Sequence, residues 1–211
     1  MIKFVINLDN DVDRMNNFDD TYIRWRATSK DEIDDDTKNK MLVGNRRSSP
    51  NHLATCGCFL SHIKLWKHII DNKLDNVLIL EDDAYKINED PTNLPDDGIT
   101  YLGGFFHTIF MANKIKKLEV IIPESIDGIN LLDKSKTRIL MTISYYIPNW
   151  KIAEIMYNHI INMKYYRPID SLMIKIPIKN YYYYPAIYLE NDYTSTITGK
   201  KKRHPDKFYI R

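Results

Sequence analysis

Between residues 76 and 83, four consecutive apolar side chains (Val77, Leu78, Ile79, Leu80) run directly into three acids, Glu81, Asp82 and Asp83. An unbroken apolar run of this length suits a strand covered on both faces, as in the parallel sheet of an α/β domain. Ligands of open α/β sheets bind at the carboxyl ends of strands, and the acids stand at that end. Along an extended backbone alternate side chains share a face, so Glu81 and Asp83 are expected to point together and Asp82 away. Two converging carboxylates repel each other. A hard divalent cation, Mg²⁺ or Mn²⁺, takes oxygen ligands and keeps positions open for phosphate oxygens, which resolves that repulsion. Three acids after a strand also make a solvated turn or a helix N-cap. Nucleases and phosphatases place acids at strand ends as well, so the cluster alone does not choose among metal-dependent phosphate chemistries.

The rest of the chain supports the same class. Residues 3–8 carry Phe4, Val5, Ile6 and Leu8, a second apolar strand. Residues 11–18 have helical spacing and acids in the first turn, and residues 22–27 alternate like a strand. Residues 29–50 are polar and contain Gly44, Arg46, Arg47 and Pro50, which predicts a long loop. Residues 52–72 place Leu53, Cys56, Phe59, Leu60, Ile63, Trp66, Ile69 and Ile70 at amphipathic spacing, the strongest helix signal in the sequence. Strands are expected at 99–102, ending in Gly103 and Gly104, then at 118–122, 139–147 and 181–187. A helix is expected at 149–163 and a short one at 168–176. Strands alternating with helices give an α/β domain with a mostly parallel central sheet.

Lys and Arg total 30 against 28 Asp and Glu. This balance argues against a polyanion-binding body, and no nucleic-acid partner is expected. The acidic run 31–36 and the basic run 200–203 read as solvated surface, the latter in a tail over 198–211. A chain of 211 residues suits a single domain with a sufficient core. Cys56 and Cys58 lie two apart on a helix and face different directions, so neither a disulfide nor a zinc site is expected. No window reaches the length of a membrane span, and the apolar opening is too short for a signal peptide, which reads as cytoplasmic residence.

Four segments in order resemble glycosyltransferase family 25, whose members include bacterial lipooligosaccharide galactosyltransferases and collagen galactosyltransferase domains. They are Val5-Ile6-Asn7-Leu8-Asp9 with Asp13-Arg14, Gly57-Cys58-Phe59-Leu60-Ser61-His62 with Leu65-Trp66, Leu78-Ile79-Leu80-Glu81-Asp82-Asp83, and Tyr101-Leu102-Gly103-Gly104. Weaker matches run through Ser144-Tyr145-Tyr146-Ile147 with Ala153, Pro168-Ile169-Asp170, and Pro185 to Ser195-Thr196-Ile197, where Thr196 replaces a common Asp. The resemblance implies the Rossmann-like nucleotide-sugar domain called GT-A, and an inverting transfer of galactose or glucose from a UDP-sugar to a glycan or hydroxylated acceptor.

Site roles follow from that resemblance. Glu81 and Asp83, with His204 as a third ligand, would hold Mn²⁺ or Mg²⁺. Asn7, Asp9, Arg14, Ser61, His62, Glu81 and Asp82 would face the donor, and Asp170 would be the general base that inversion requires. Each has a plainer reading. Asp9 or Asp170 can cap a helix, Arg14 can pair with a surface acid, and His62 can be a structural hydrogen-bonder. His204 can be a solvated tail residue, with Lys202 or Arg203 meeting the diphosphate instead. A catalytically silent nucleotide-sugar or glycan-binding domain is the alternative function, and a metal-dependent phosphoesterase or nuclease a third.

Overall fold

The computed structural model describes residues 1–44, 52–108 and 124–191. The expected strand at 118–122, the residues Arg46 to Pro50, Ser195-Thr196-Ile197, the basic run and His204 lie outside the described residues.

The chain opens with β1 (Ile2–Asn7), a 3₁₀ segment (Asp9–Asn17) and β2 (Tyr22–Arg26). Then come α1 (Asp35–Gly44), α2 (His52–Asp71), β3 (Val77–Glu81), β4 (Ala84–Lys86), β5 (Gly98–Tyr101) and β6 (Phe105–Thr108). It continues through β7 (Gly128–Leu131), β8 (Thr137–Leu140), β9 (Ser144–Ile147), α3 (Trp150–Ile161), α4 (Ile169–Met173), β10 (Lys179–Tyr184) and β11 (Tyr188–Glu190).

Seven strands form the central sheet in the order β2-β1-β3-β9-β5-β10-β7. Five run in one direction, while β9 and β7 run antiparallel to their neighbours. The sheet is therefore mostly parallel, of the GT-A Rossmann-like kind. One face is packed by α2 and α3: Phe4, Ile6, Ile79, Tyr145 and Ile147 meet Phe59, Trp66, Met156 and Ile160 in a continuous core. On the opposite face Val5, Leu78 and Leu80 are covered by Met15 of the 3₁₀ segment and Phe18 just after it, and by Ala84 and Tyr188 of the β4–β11 pair. Burial on both faces is why β3 reads as an unbroken apolar run.

Two sequence expectations change. The stretch 29–50 is not a loop throughout, because it contains a short 3₁₀ turn (Lys30–Glu32) and α1. Its acids are caps. Ser29 and Glu32 close a capping box, and Asp34 accepts from Thr37 N–H at 2.7 Å and from the Thr37 hydroxyl at 2.8 Å. Asp35 and Asp36 then fill the favoured first turn of α1. The apolar run 139–147 is two strands rather than one. β8 pairs with β6 outside the main sheet, whereas β9 enters its centre, and the chain turns at Met141 with φ of 69°. Gly104, with φ of 127°, supplies the backbone freedom expected of the Gly-Gly pair.

Candidate active site

A cavity of about 390 Å³ opens at the carboxyl ends of β1 and β3, between the 27–31 segment and the first half of α2. Its lining includes the apolar Ile6, Leu8, Ala27 and Ala54 and the polar Thr28, Ser29 and Lys30. Glu81, Asp82, Ser61, His62 and Cys58 complete the lining.

The close fit of α2 against the 27–31 segment depends on Gly57. A Cβ there would stand 2.7 Å from the Thr28 carbonyl oxygen. One turn later the Ser61 hydroxyl donates to Gly57 O at 2.7 Å and accepts from Thr28 N–H at 2.8 Å, and Lys64 donates to the Thr28 hydroxyl at 3.0 Å. Ser61 thus lines the cavity while stitching its wall together.

Glu81 ends β3 on the α2 face. Its Oε1 accepts from the Thr142 hydroxyl and lies 3.7 Å from His62 Nε2. His62 is fully buried, and its Nδ1 shares a 2.8 Å hydrogen bond with the Tyr145 hydroxyl, which also accepts from the Trp66 indole N–H at 2.8 Å. Cys58, one helical turn before His62, completes a group in which Sγ, a ring nitrogen and a carboxylate oxygen all lie within 4.8 Å of one another. The Cys58–His62 spacing of four, one turn of helix, is visible in the sequence.

Asp82 turns to the other face. Its Oδ1 accepts from Arg14 at 2.9 Å and its Oδ2 from the Asn7 amide at 2.8 Å. Burial pushes its carboxyl above the usual range, against the opposing pull of Asn7 and Arg14. Asn7 is fully buried; its amide also donates to Asp11 O, and its carbonyl accepts from Arg24. Asn7 and Arg14 therefore act on the cavity by holding Asp82. Asp9, at the start of the 3₁₀ segment, is clamped by Arg24 at 2.6 Å and Arg26 at 2.7 Å, whose hydrogen bonds hold its carboxyl below the usual range. It lies outside the cavity lining.

Asp83 stands past the end of β3, and its carbonyl accepts from Asn191 N–H at 2.7 Å. It does not line the cavity, so the acid that shares the cavity with Glu81 is Asp82. Asp170 lies in the first turn of α4, where it accepts from Ser171 N–H at 2.6 Å and from Met141 N–H at 3.3 Å. Its link to the site runs through adjacent residues: Met141 holds Asp170, and Thr142 holds Glu81. Nothing local marked Thr142 or Tyr145 as site residues, because their partners are 61 and 83 positions away.

No helix among the described residues is long and apolar enough to cross a membrane. A family model described as glycosyltransferase family 25 (LPS biosynthesis protein) matches residues 1–173. Mouse procollagen galactosyltransferase 2 is 44% identical over 48 residues, covering 21% of this chain and 8% of that protein. Its human counterpart matches with the same identity and coverage. Such a stretch is a small part of either relative.

Proposed function

Because the chain belongs to glycosyltransferase family 25, we propose that it transfers a hexose, galactose or glucose, from a UDP-sugar to a hydroxyl of a glycan or hydroxylated acceptor, with inversion. The observation that carries this reading is the placement of Glu81 and Asp82 at the carboxyl end of a central strand, lining one cavity together with apolar residues. A nucleoside can lie on Ile6, Leu8 and Ala27, with Thr28 to Lys30 around it, and its diphosphate can then reach the carboxylates.

The oxygen-rich end of β3 has the donor chemistry a hard cation requires: Glu81 lines the cavity, and Asp83, just past its lining, is the second acid that the family resemblance would bring to Mn²⁺ or Mg²⁺. Such an ion stabilises negative charge on a departing diphosphate. Arg14 and Asn7 fix Asp82 beside that position. Asp170 is assigned as the base. It takes the proton of the acceptor hydroxyl as that oxygen bonds to the anomeric carbon, and the bond from that carbon to the diphosphate oxygen breaks.

The test is a thermal-shift series with UDP, with Mn²⁺ and with both, on the wild type and on Asp83→Ala. Ligands that bind the native state raise its apparent stability by mass action. A shift that needs both ligands and is lost in the variant supports the reading. UDP release from UDP-galactose or UDP-glucose, coupled to glycoside formation and abolished in Asp83→Ala, would establish turnover. Binding without any glycosidic product would instead favour a catalytically silent nucleotide-sugar-binding domain, and no response to any nucleotide would overturn the proposal.

A further inference from the structure

His62, Glu81 and Cys58 have the composition of a transition-metal site. The hydrogen bonds behind them point to a different use. An indole nitrogen can only donate, so the Trp66 N–H occupies a lone pair of the Tyr145 oxygen. Tyr145 is completely buried, and its own hydrogen needs an acceptor. Its remaining hydrogen-bond partner among the described residues is His62 Nδ1, at 2.8 Å. If Nδ1 carried a proton, the Tyr145 oxygen would receive two donors and its hydroxyl hydrogen would be stranded in the core. The chain of bonds closes in one sense: Trp66 donates to Tyr145, Tyr145 donates to Nδ1, and the imidazole proton resides on Nε2.

A protonated Nε2 has no lone pair for a metal. It makes no hydrogen bond among the described residues and, on a fully buried ring lining the cavity, lies 3.7 Å from the Glu81 oxygen. That separation exceeds a hydrogen bond, yet a single oxygen atom placed between the two could meet both at ordinary distances. A hydroxyl suits this position, because it can accept from the Nε2–H and donate to the carboxylate. An anionic phosphate oxygen has no proton to donate to the carboxylate and cannot fill both roles.

We propose that Trp66 and Tyr145 lock His62 as the Nε2–H tautomer, and that His62 and Glu81 form a donor–acceptor pair that binds a hydroxyl of the sugar-nucleotide ligand. The ligand clause rests on the glycosyl-donor reading above. Tyr145 is a positioning residue, and the Cys58–His62–Glu81 group is not a zinc site.

Long-range ¹H–¹⁵N correlation spectra of the full chain, with His62→Gln used for assignment, read the tautomer directly. An unprotonated Nδ1 and protonated Nε2 are expected in the wild type, with the tautomers mixing in Tyr145→Phe. A protonated Nδ1 in the wild type overturns the proposal, as does a cobalt–thiolate absorption band on adding Co²⁺ that disappears in Cys58→Ser. Calorimetric titration with UDP-galactose and UDP-glucose supplies the second reading. Loss of the Nε2–H in His62→Phe should weaken the bound sugar nucleotide ~tenfold, with partial recovery in His62→Gln, whose amide can still donate. Unchanged affinity in His62→Phe, with the variant folded, overturns the ligand clause while leaving the function above intact. Failure of the wild type to bind either nucleotide, with the expected tautomer present, overturns the function above and the ligand clause with it.

Discussion

Replacing Gly57 by alanine separates two physical effects by sign. Gly57 lies inside α2, where exchanging glycine for alanine should stabilise a helix by about 1 kcal/mol through backbone entropy. Against this, the new methyl would sit 2.7 Å from the Thr28 carbonyl oxygen, well inside ordinary contact. That oxygen belongs to the backbone and cannot rotate away. Its segment is tied down by Thr28 N–H on Ser61 and by Ala27 N–H on Asn7 O at 2.9 Å. Relief therefore demands that α2 and the 27–31 segment part by several tenths of an ångström, in a region where overpacking costs roughly 1–3 kcal/mol. With a clash against immobile backbone placed in the upper half of that range, a net loss of about 1–2 kcal/mol is expected, which for a chain of this size lowers Tm by roughly 2–8 °C. Calorimetry on Gly57→Ala reads the sign directly. A Tm equal to or above that of the wild type would refute the close-packing argument and leave helix propensity in control. Because the same segment forms one cavity wall, the variant should also bind nucleotide more weakly than its stability loss alone explains.

Removing Arg14 takes the cation from the largely buried Asp82 carboxylate and leaves the Asn7 amide donating to it. Arg14→Ala is expected to cost about 2–3 kcal/mol in urea denaturation, and adding Asp82→Asn to that background should recover part of the loss. At Asp90, burial alone would raise the carboxyl, but hydrogen bonds from Lys3 and Tyr188 outweigh it and hold the group below its ordinary value of 3.8. Its contribution is present above that value and lost as pH falls through the lower folded one. Asp90→Asn should therefore flatten the fall in urea midpoint below pH ~4, and an unchanged slope would count against the argument. The Cys56 thiol is fully buried and pushed up to about 11 by that burial. A thiol reagent at neutral pH should modify the cavity-lining Cys58 alone in the native protein and both cysteines in denaturant; rapid native labelling of Cys56 would contradict its placement.

What could be read from the sequence follows from the range of the forces involved. β3 and α2 were legible because local periodicity records burial: β3 is covered on both faces, and α2 buries one stripe against the sheet. The location of the acids at a strand end was legible for the same reason. α1 was not, because residues 35–40, its first turns, contain no apolar side chain, and the acids that begin it are exposed and read as a solvated run. The break between β8 and β9 was hidden because Met141 is an ordinary residue whose positive φ is imposed by its surroundings. Which acid would share the cavity with Glu81 was also beyond a strand-alternation rule. β3 ends at Glu81, so the extended backbone that would carry Asp83 back to the same face stops too soon.

That same break at Met141 gives the site its internal geometry. A non-glycine residue in the left-handed region costs about 1–2 kcal/mol and persists only where the fold over-determines it. Here the turn redirects the chain from the β6–β8 pair into the middle of the main sheet, and Glu81 N–H donates to Ile143 O at 3.0 Å on the far side of it. Met141 N–H is thereby presented to Asp170, and the Thr142 hydroxyl to Glu81. The carboxylate assigned to the acceptor and the carboxylate assigned to the donor are thus held by consecutive residues of one strained turn. Their separation is set by the entry of β9 into the sheet, a rigid element. Surface loops can then vary without moving the two groups whose spacing the proposed in-line displacement requires.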